Sequence, residues 1–213
     1  MKHLISDIIR FPNGCQPVRF VACFMSMLMR AEGMPPCTKT HQALYELYMA
    51  VSGFGFIPPD EGLTDAEWNQ ENNVRLRAFD WYIGYTFDYA GWDAEELIFQ
   101  NGEREADFTK IKASIDRGIP VLALFGRVYQ WVLLTGYDDE GCLYGLDGSQ
   151  AGWDVPAAAP AGYDENGVFI MPDWHGKGGH AFILGEKKAR TVTLRDVFHR
   201  GNRIMEYFNI RRM

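Results

Sequence analysis

The most constraining feature of the chain is an apolar run at residues 20–29, FVACFMSMLM. A helix formed by this run is apolar on most of its faces, and such a helix is covered by other layers of a protein. We therefore predict a central, buried helix over residues 17–32. Gly33 is suited to end it, because glycine readily adopts the left-handed conformation that follows a helix.

A cysteine comes just before this predicted helix. Asn13-Gly14 predicts a turn, Cys15 follows it, and Pro17 suits the first helical position. At a helix start, unpaired backbone N–H groups and the positive end of the dipole favour a thiolate over a thiol. Cys15 is therefore a candidate nucleophile, the alternative being a thiol packed beside a turn. Gln16 is a candidate oxyanion donor or a helix cap.

Length and charge limit the classes of protein that the chain can belong to. Its 213 residues predict one large domain, with two small ones as the alternative, and its net charge of −7 argues against non-specific binding of nucleic acid or anionic membranes. The apolar run is too short to cross a bilayer. The chain has four cysteines without CxxC spacing, and its first segment has no signal-peptide core. These features predict reduced thiols and a cytoplasmic location.

Helices are predicted before residue 118 and strands after it. The helical patterns cover residues 4–9, 17–32, 40–51, 64 onwards, 72–82 as a continuation or a separate helix, 92–95 as a helix start, and 107–116. Period-two patterns then predict strands at residues 119–125, 130–135, 142–146, 168–171 and 181–184. Thr193 is expected to cap a last helix over residues 194–208.

This order predicts an α+β domain over residues 1–213, with a helical part at 1–117 and a sheet part at 118–213. The chain is expected to place its buried helix against an antiparallel sheet. A thiol at the start of that helix, followed by polar residues from the sheet, is an order that resembles the papain-like one.

Several stretches carry a family resemblance. Residues 111–122, 131–138 and 143–147 resemble the second half of C39-like cysteine peptidases and the related butirosin-biosynthesis BtrH N-terminal acyltransferase domains. Residues 15–18 look like the Cys-Gly-Pro-Ala opening of that superfamily. Residues 45–56 look like a segment of bacterial BtrH-like proteins.

The resemblance implies a Cys–His–Asp/Asn triad. Position by position, the nucleophile falls on Cys15 and the acid on Asp147, whereas the histidine falls on Gln130 or, with a shift of one residue, on Trp131. Neither Gln130 nor Trp131 takes a proton from a thiol. The spacing from Cys15 to Gly33 is longer than the family's usual spacing between the nucleophile and the glycine that ends the helix. If the family's spacing is counted back from Gly33, the nucleophile position falls near Phe20, which would leave the chain without a nucleophile.

His180 is the strongest candidate for a base elsewhere in the chain. Gly178-Gly179 precedes it at the start of a predicted strand, and His180-Ala181 resembles the opening of the papain base strand. His175 is a weaker candidate, and Gln130 is a candidate polar residue of the cleft. Cys23, inside the apolar helix, is predicted to be a core residue.

Two functions follow from these residues. The first is a catalytically degenerate papain-fold protein that binds a peptide or small ligand in the inherited cleft. The alternative is an active cysteine hydrolase or acyltransferase on an amide or thioester, with Cys15 as nucleophile, His180 as base and Asp147 as orienting acid. The sequence contains no metal-ligand spacing and no phosphate-binding loop, so we expect no metal and no cofactor.

Overall fold

The protein is a mixed α+β structure. The computed structural model describes residues 1–8, 19–34, 38–58, 65–99, 103–125, 130–146, 162–176 and 178–210. In these ranges the helices are α1 (Arg19–Ala31), α2 (Thr38–Ser52), α3 (Asp65–Phe79), α4 (Tyr82–Ala90), α5 (Arg104–Asp116) and α6 (Leu194–Ile210). The strands are β1 (Lys2–Leu4), β2 (Trp92–Ile98), β3 (Val121–Phe125), β4 (Gln130–Asp138), β5 (Leu143–Leu146), β6 (Gly162–Tyr163), β7 (Phe169–Met171) and β8 (Gly179–Lys187). The predicted α+β class is confirmed.

The chain forms two compact units. One comprises Met1–Cys37 and Glu95–Leu184, and it contains α1, α5 and most of the sheet. The other comprises Thr38–Ala94 and Gly185–Met213, and it contains α2, α3, α4 and α6. Among the described helices, none has both the length and the apolar character that crossing a membrane requires.

The sheet is antiparallel and its strand order is β2-β8-β3-β4-β5-β7-β6. Strand β4 is long enough to pair with three neighbours, since β1 pairs with its last residues and β3 with its first. One row of the register runs through Trp131, Leu124 and His180 on β4, β3 and β8. Residues directly opposite each other in paired strands point to the same face of the sheet. These three side chains therefore share a face.

The two faces of the sheet are covered by different helices. Ala123 and Val132 belong to the buried cluster that includes Ile111 and Ile115 of α5. The alternate side chains point the other way, towards α1, where the rings of Trp131 and Phe20 lie 4.9 Å apart. Helix α1 is buried almost throughout, as its apolar sequence predicts, and the predicted core residue Cys23 is confirmed as fully buried.

Helix α1 has a defined direction on its face of the sheet. Phe20, in its first turn, contacts Trp131, and Trp131 is opposite Leu124 near the end of β3. At the other end, Arg30 Nε donates to the carbonyl of Gly118, 3.1 Å away and just before β3 begins. The N-terminal end of α1 therefore lies at the end of the sheet that holds the Trp131–Leu124–His180 row.

Two of the predicted helices are wrong. The segment predicted as a helix at residues 4–9 starts with Leu4, the last residue of strand β1, which is opposite Gly136 of β4, and residues 5–8 form no helix. Gly136 has no side chain, and a Cβ there would lie 2.3 Å from Leu4 Cδ2, so the glycine makes room for this pairing. Residues 92–95, predicted to start a helix, belong to strand β2, so the first 117 residues supply two strands of the sheet.

Two hairpins repeat the same turn. The segments YDDEGCL and YDENGVF link β4 to β5 and β6 to β7. In the first, Asp138 Oδ1 accepts from the N–H groups of Glu140 (3.0 Å) and Cys142 (2.9 Å). In the second, Asp164 Oδ1 accepts in the same way from the N–H groups two and four residues later. The aspartate of each hairpin therefore holds its turn.

The charge of Asp138 should contribute to stability. Burial alone would raise the pKa of Asp138, but hydrogen bonds from the Cys142 N–H, the Tyr144 hydroxyl and the Glu140 N–H outweigh it and lower that pKa. A lowered pKa gives stability that is present above the unfolded value, about 3.9, and is lost as the pH falls further. We expect Asp138→Asn to reduce the free energy of unfolding by about 1 kcal/mol at pH 7.

This difference should shrink as the pH falls below about 4. Urea unfolding of the two proteins at pH 7 and at pH 3 measures it. Glu140→Gln is the matched control, because Glu140 is an exposed residue of the same turn. A difference between Asp138→Asn and wild type that is equal at both pH values would contradict the prediction.

Candidate functional site

His180 is the second residue of β8 and follows two glycines with positive φ, Gly178 at 67° and Gly179 at 131°. Gly179 is opposite Phe125 in the register, and a Cβ on it would lie 2.1 Å from the carbonyl oxygen of Leu124. Only glycine tolerates both this φ and this contact. The glycines that identified His180 in the sequence therefore allow β8 to begin close against β3.

His180 lies on the α1 face of the sheet. It is opposite Leu124, which in turn is opposite Trp131, and Trp131 contacts Phe20 in the first turn of α1. Neighbouring strands are about 4.8 Å apart, so β8 lies roughly 10 Å across the sheet from β4. His180 thus occupies the same face and the same end of the sheet as the N-terminal end of α1.

A carboxylate contacts His180. Nδ1 of His180 is 2.6 Å from Oε1 of Glu96 on β2, and the two side chains are 22% and 31% exposed. The preceding residue, Glu95, binds Lys110 of α5 instead, with 2.6 Å between Oε1 and Nζ. This hydrogen bond raises the pKa of Lys110. Alternation along β2 therefore sends Glu95 and Glu96 to opposite faces of the sheet.

The remaining predicted site residues lie mostly outside the described part of the chain. Cys15, Gln16 and Asp147 are in ranges that the structure does not describe, as is the side chain of Gln130. The backbone of Gln130 pairs with Phe125. Trp131, the other position to which the resemblance assigns a histidine, is 1% exposed and packs against Phe20 and Phe182.

The weaker candidate base, His175, lies on the other face of the sheet. It packs against Phe99 and Trp174, which belong to the α5-side cluster. Its Nε2 is 3.3 Å from Oδ2 of the buried Asp107, and neither atom has a hydrogen-bond partner among the described residues. His175 is therefore separated by the sheet from the face that carries His180.

A metal site is not formed by the described side chains. Within the described ranges, no group of three or more histidine, cysteine, aspartate or glutamate residues converges as metal ligands do. The chemistry available to the described site is that of an imidazole paired with a carboxylate. Such a pair can accept, hold and return a proton.

Fold and site together define an α+β protein with a partly exposed histidine–glutamate pair at the end of the sheet where a buried helix begins. Comparison of the chain with protein-family models, curated proteins and solved structures finds no match. Glu96 was not among the residues predicted from the sequence. Its partner lies 84 residues away, and no local pattern indicates that β2 is the neighbour of β8.

Proposed function

We propose that the protein is a papain-like thiol enzyme that transfers an acyl group from an amide or thioester. Cys15 is the nucleophile and His180 is the base. The observation that carries the proposal is the position of His180 on the α1 face, at the end of the sheet where α1 begins. A buried helix packed on an antiparallel sheet, with a histidine near the start of a strand, also supports the proposal.

The segment that links Cys15 to α1 is long enough for the proposed contact between Cys15 and His180. Cys15 precedes Arg19, the first residue of α1, by four positions, and four residues reach at most about 14 Å. The distance from β4, which contacts the first turn of α1, to β8 is about 10 Å. The four residues from Cys15 to Arg19 are therefore long enough to cover the distance to β8.

In the proposed reaction, Nε2 of His180 accepts the Sγ–H proton of Cys15 and the thiolate attacks the substrate carbonyl carbon. As the intermediate collapses, the C–N or C–S bond of the substrate breaks. The imidazolium returns its proton to the departing amine or thiol. The acyl group then remains on Cys15 as a thioester. Water or an acceptor amine attacks this thioester with the imidazole again serving as base, the acyl–Sγ bond breaks, and the imidazolium returns the proton to the Cys15 thiolate.

A second candidate function is supported by Trp131. A buried indole occupies a position to which the resemblance assigns the catalytic histidine, and its packing against Phe20 leaves no exposed ring at that point. This observation favours a catalytically degenerate protein that binds a peptide or small molecule. The two candidates differ in whether Cys15 is an activated thiolate.

Alkylation of the thiol by iodoacetamide at pH 6 tests the proposal. An ordinary cysteine, with a pKa of about 8.5, is less than about 1% thiolate at this pH. An activated Cys15 should therefore be alkylated rapidly and stoichiometrically, and peptide mass spectrometry identifies the site. We expect Cys15→Ala to abolish this labelling and His180→Ala to slow it about 100-fold, because the imidazole no longer holds the proton.

Two controls accompany this measurement. Cys37→Ala should leave the labelling unchanged, and His175→Ala should do the same because His175 lies on the opposite face of the sheet from His180. Slow labelling of wild type with no preference for Cys15 would overturn the enzymatic proposal and favour the binding protein.

A further inference from the structure

The hydrogen bond between His180 and Glu96 assigns a proton position on the histidine ring. A carboxylate accepts hydrogen bonds and does not donate them, so a 2.6 Å contact between Nδ1 and Oε1 places the proton on Nδ1. Neutral imidazole carries one N–H, so Nε2 then has the free lone pair. It is the Nε2 lone pair that must accept a proton from a thiol in the proposed reaction.

We propose that Glu96 is the positioning residue for His180, the role that the family resemblance assigns to Asp147. This inference rests on the proposed function. Glu96 orients the ring and keeps the proton on Nδ1 while Nε2 accepts the Sγ–H proton of Cys15. It also provides the negative charge that stabilises the imidazolium formed in that step, since hydrogen bonds between ionised partners are the stronger ones.

The supporting geometry is built into two strands. His180 is held by the pairing of β8 with β3, and the end of β2 is held to β8 by the hydrogen bond from the Phe99 N–H to the Gly179 carbonyl, at 3.1 Å. The carboxylate of Glu95 binds Lys110 on the opposite face of the sheet. Because side chains alternate along β2, Glu96 lies on the face that carries His180 and binds it. Groups held on strands keep a more constant geometry than groups on loops.

The first test reads the histidine ring directly. In protein labelled with ¹⁵N-histidine and studied at about pH 9, we expect the His180 signals of an Nδ1–H tautomer. Glu96→Ala should shift them towards the Nε2–H form that histidine prefers in water. Glu96→Asp keeps a carboxylate and should restore part of the Nδ1–H population. Glu95→Ala is the matched control on the same strand and should leave the His180 signals unchanged.

The second test uses the rate of Cys15 alkylation across pH 5–9. Loss of a hydrogen bond to an ionised group should reduce the rate in Glu96→Ala about tenfold or more near pH 6, with partial recovery in Glu96→Asp. Asp147→Asn should have the smaller effect. A purely structural role for Glu96 would not change the tautomer and would affect labelling equally at every pH.

The outcomes separate the two proposals. If His180→Ala slows labelling but Glu96→Ala does not, or if wild-type His180 carries its proton on Nε2, the role of Glu96 is overturned and the proposed function stands. If His180→Ala leaves labelling unchanged, both are overturned. A shift to the Nε2–H tautomer in Glu96→Ala, together with slower labelling, supports both.

Discussion

We expect Gly179→Ala to lower the free energy of unfolding by about 3 kcal/mol or more, from the combined costs of backbone strain and overpacking. The new Cβ would lie 2.1 Å from the Leu124 carbonyl oxygen, a backbone atom that belongs to the β3–β8 pairing. The alanine would also have to adopt φ near 131° or force the strand to move. The start of β8 must therefore shift away from β3.

This substitution should also reduce the reactivity of the proposed nucleophile, because His180 is the next residue. The measurements are urea unfolding and the rate of Cys15 alkylation. Gly33→Ala is one control, since φ there is +63° and a Cβ would meet nothing within 4 Å. Gly33→Ala therefore measures the cost of a positive φ without a steric clash. Gly162→Ala is a second control, with open space around the new Cβ and no positive φ. A cost for Gly179→Ala no larger than that for Gly33→Ala would contradict the steric argument.

The second large effect is expected in the unit that comprises Thr38–Ala94 and Gly185–Met213, where Arg200 of α6 is almost completely buried. Its Nε and Nη2 bind the two carboxylate oxygens of Asp80, at 2.6 and 2.7 Å. Its Nη1 and Nη2 also donate to the carbonyls of Val51 and Ser52, at 2.9 and 3.3 Å. These carbonyls end α2, where no further turn supplies N–H donors. One guanidinium thus neutralises a carboxylate and caps a helix.

Arg200→Ala should reduce the free energy of unfolding by about 3 kcal/mol, because it leaves Asp80 and two buried carbonyls without their donor. This cost is at the lower end of the range for removing one partner of a buried ion pair, since the Asp80 side chain is 30% exposed and its carboxylate regains water. Thermal unfolding should shift down by about 6–12 °C. Circular dichroism at 222 nm measures this shift, because the unit that contains Arg200 holds α2, α3, α4 and α6.

Variants of neighbouring residues test the assignment. Asp80→Asn retains the carbonyl bonds of Arg200 and should cost less than Arg200→Ala. Arg195→Ala, an exposed arginine on the same helix, should stay within about 0.5 kcal/mol of wild type. An Arg200→Ala protein as stable as Arg195→Ala would show that the buried guanidinium contributes nothing net.

The local patterns of the sequence predicted most elements correctly. The apolar run became α1, the alternating segments after residue 118 became β3, β4 and β5, and Thr193 directly precedes α6 and donates from its hydroxyl to Asp196 Oδ2. In each of these cases the periodicity or the capping pair lies within a few residues. The errors at residues 4–9 and 92–95 have a different origin. Leu4 and residues 92–95 belong to strands β1 and β2, which form by pairing with distant parts of the chain.

Of the two residues of the candidate site, His180 was predictable from local sequence and Glu96 was not. Two glycines before a histidine indicated His180 from the sequence, since they predict a backbone that side chains would obstruct. Glu96 carried no such sign, because a glutamate next to a predicted helix start is usually a solvated residue. The neighbouring Glu95, which pairs with Lys110, has the same residue type and an equally polar surrounding sequence.

By itself, the sequence determined a buried helix, a following antiparallel sheet, a cysteine before the helix and a histidine at a strand start. These features depend on short-range periodicity, turn chemistry and capping, which act within a few residues. The tertiary structure alone decided that β2 is the neighbour of β8, that Glu96 binds His180, and that His180 faces the helix while His175 does not. Strand order and register depend on contacts between segments far apart in the chain, for which neither strand carries a local signal.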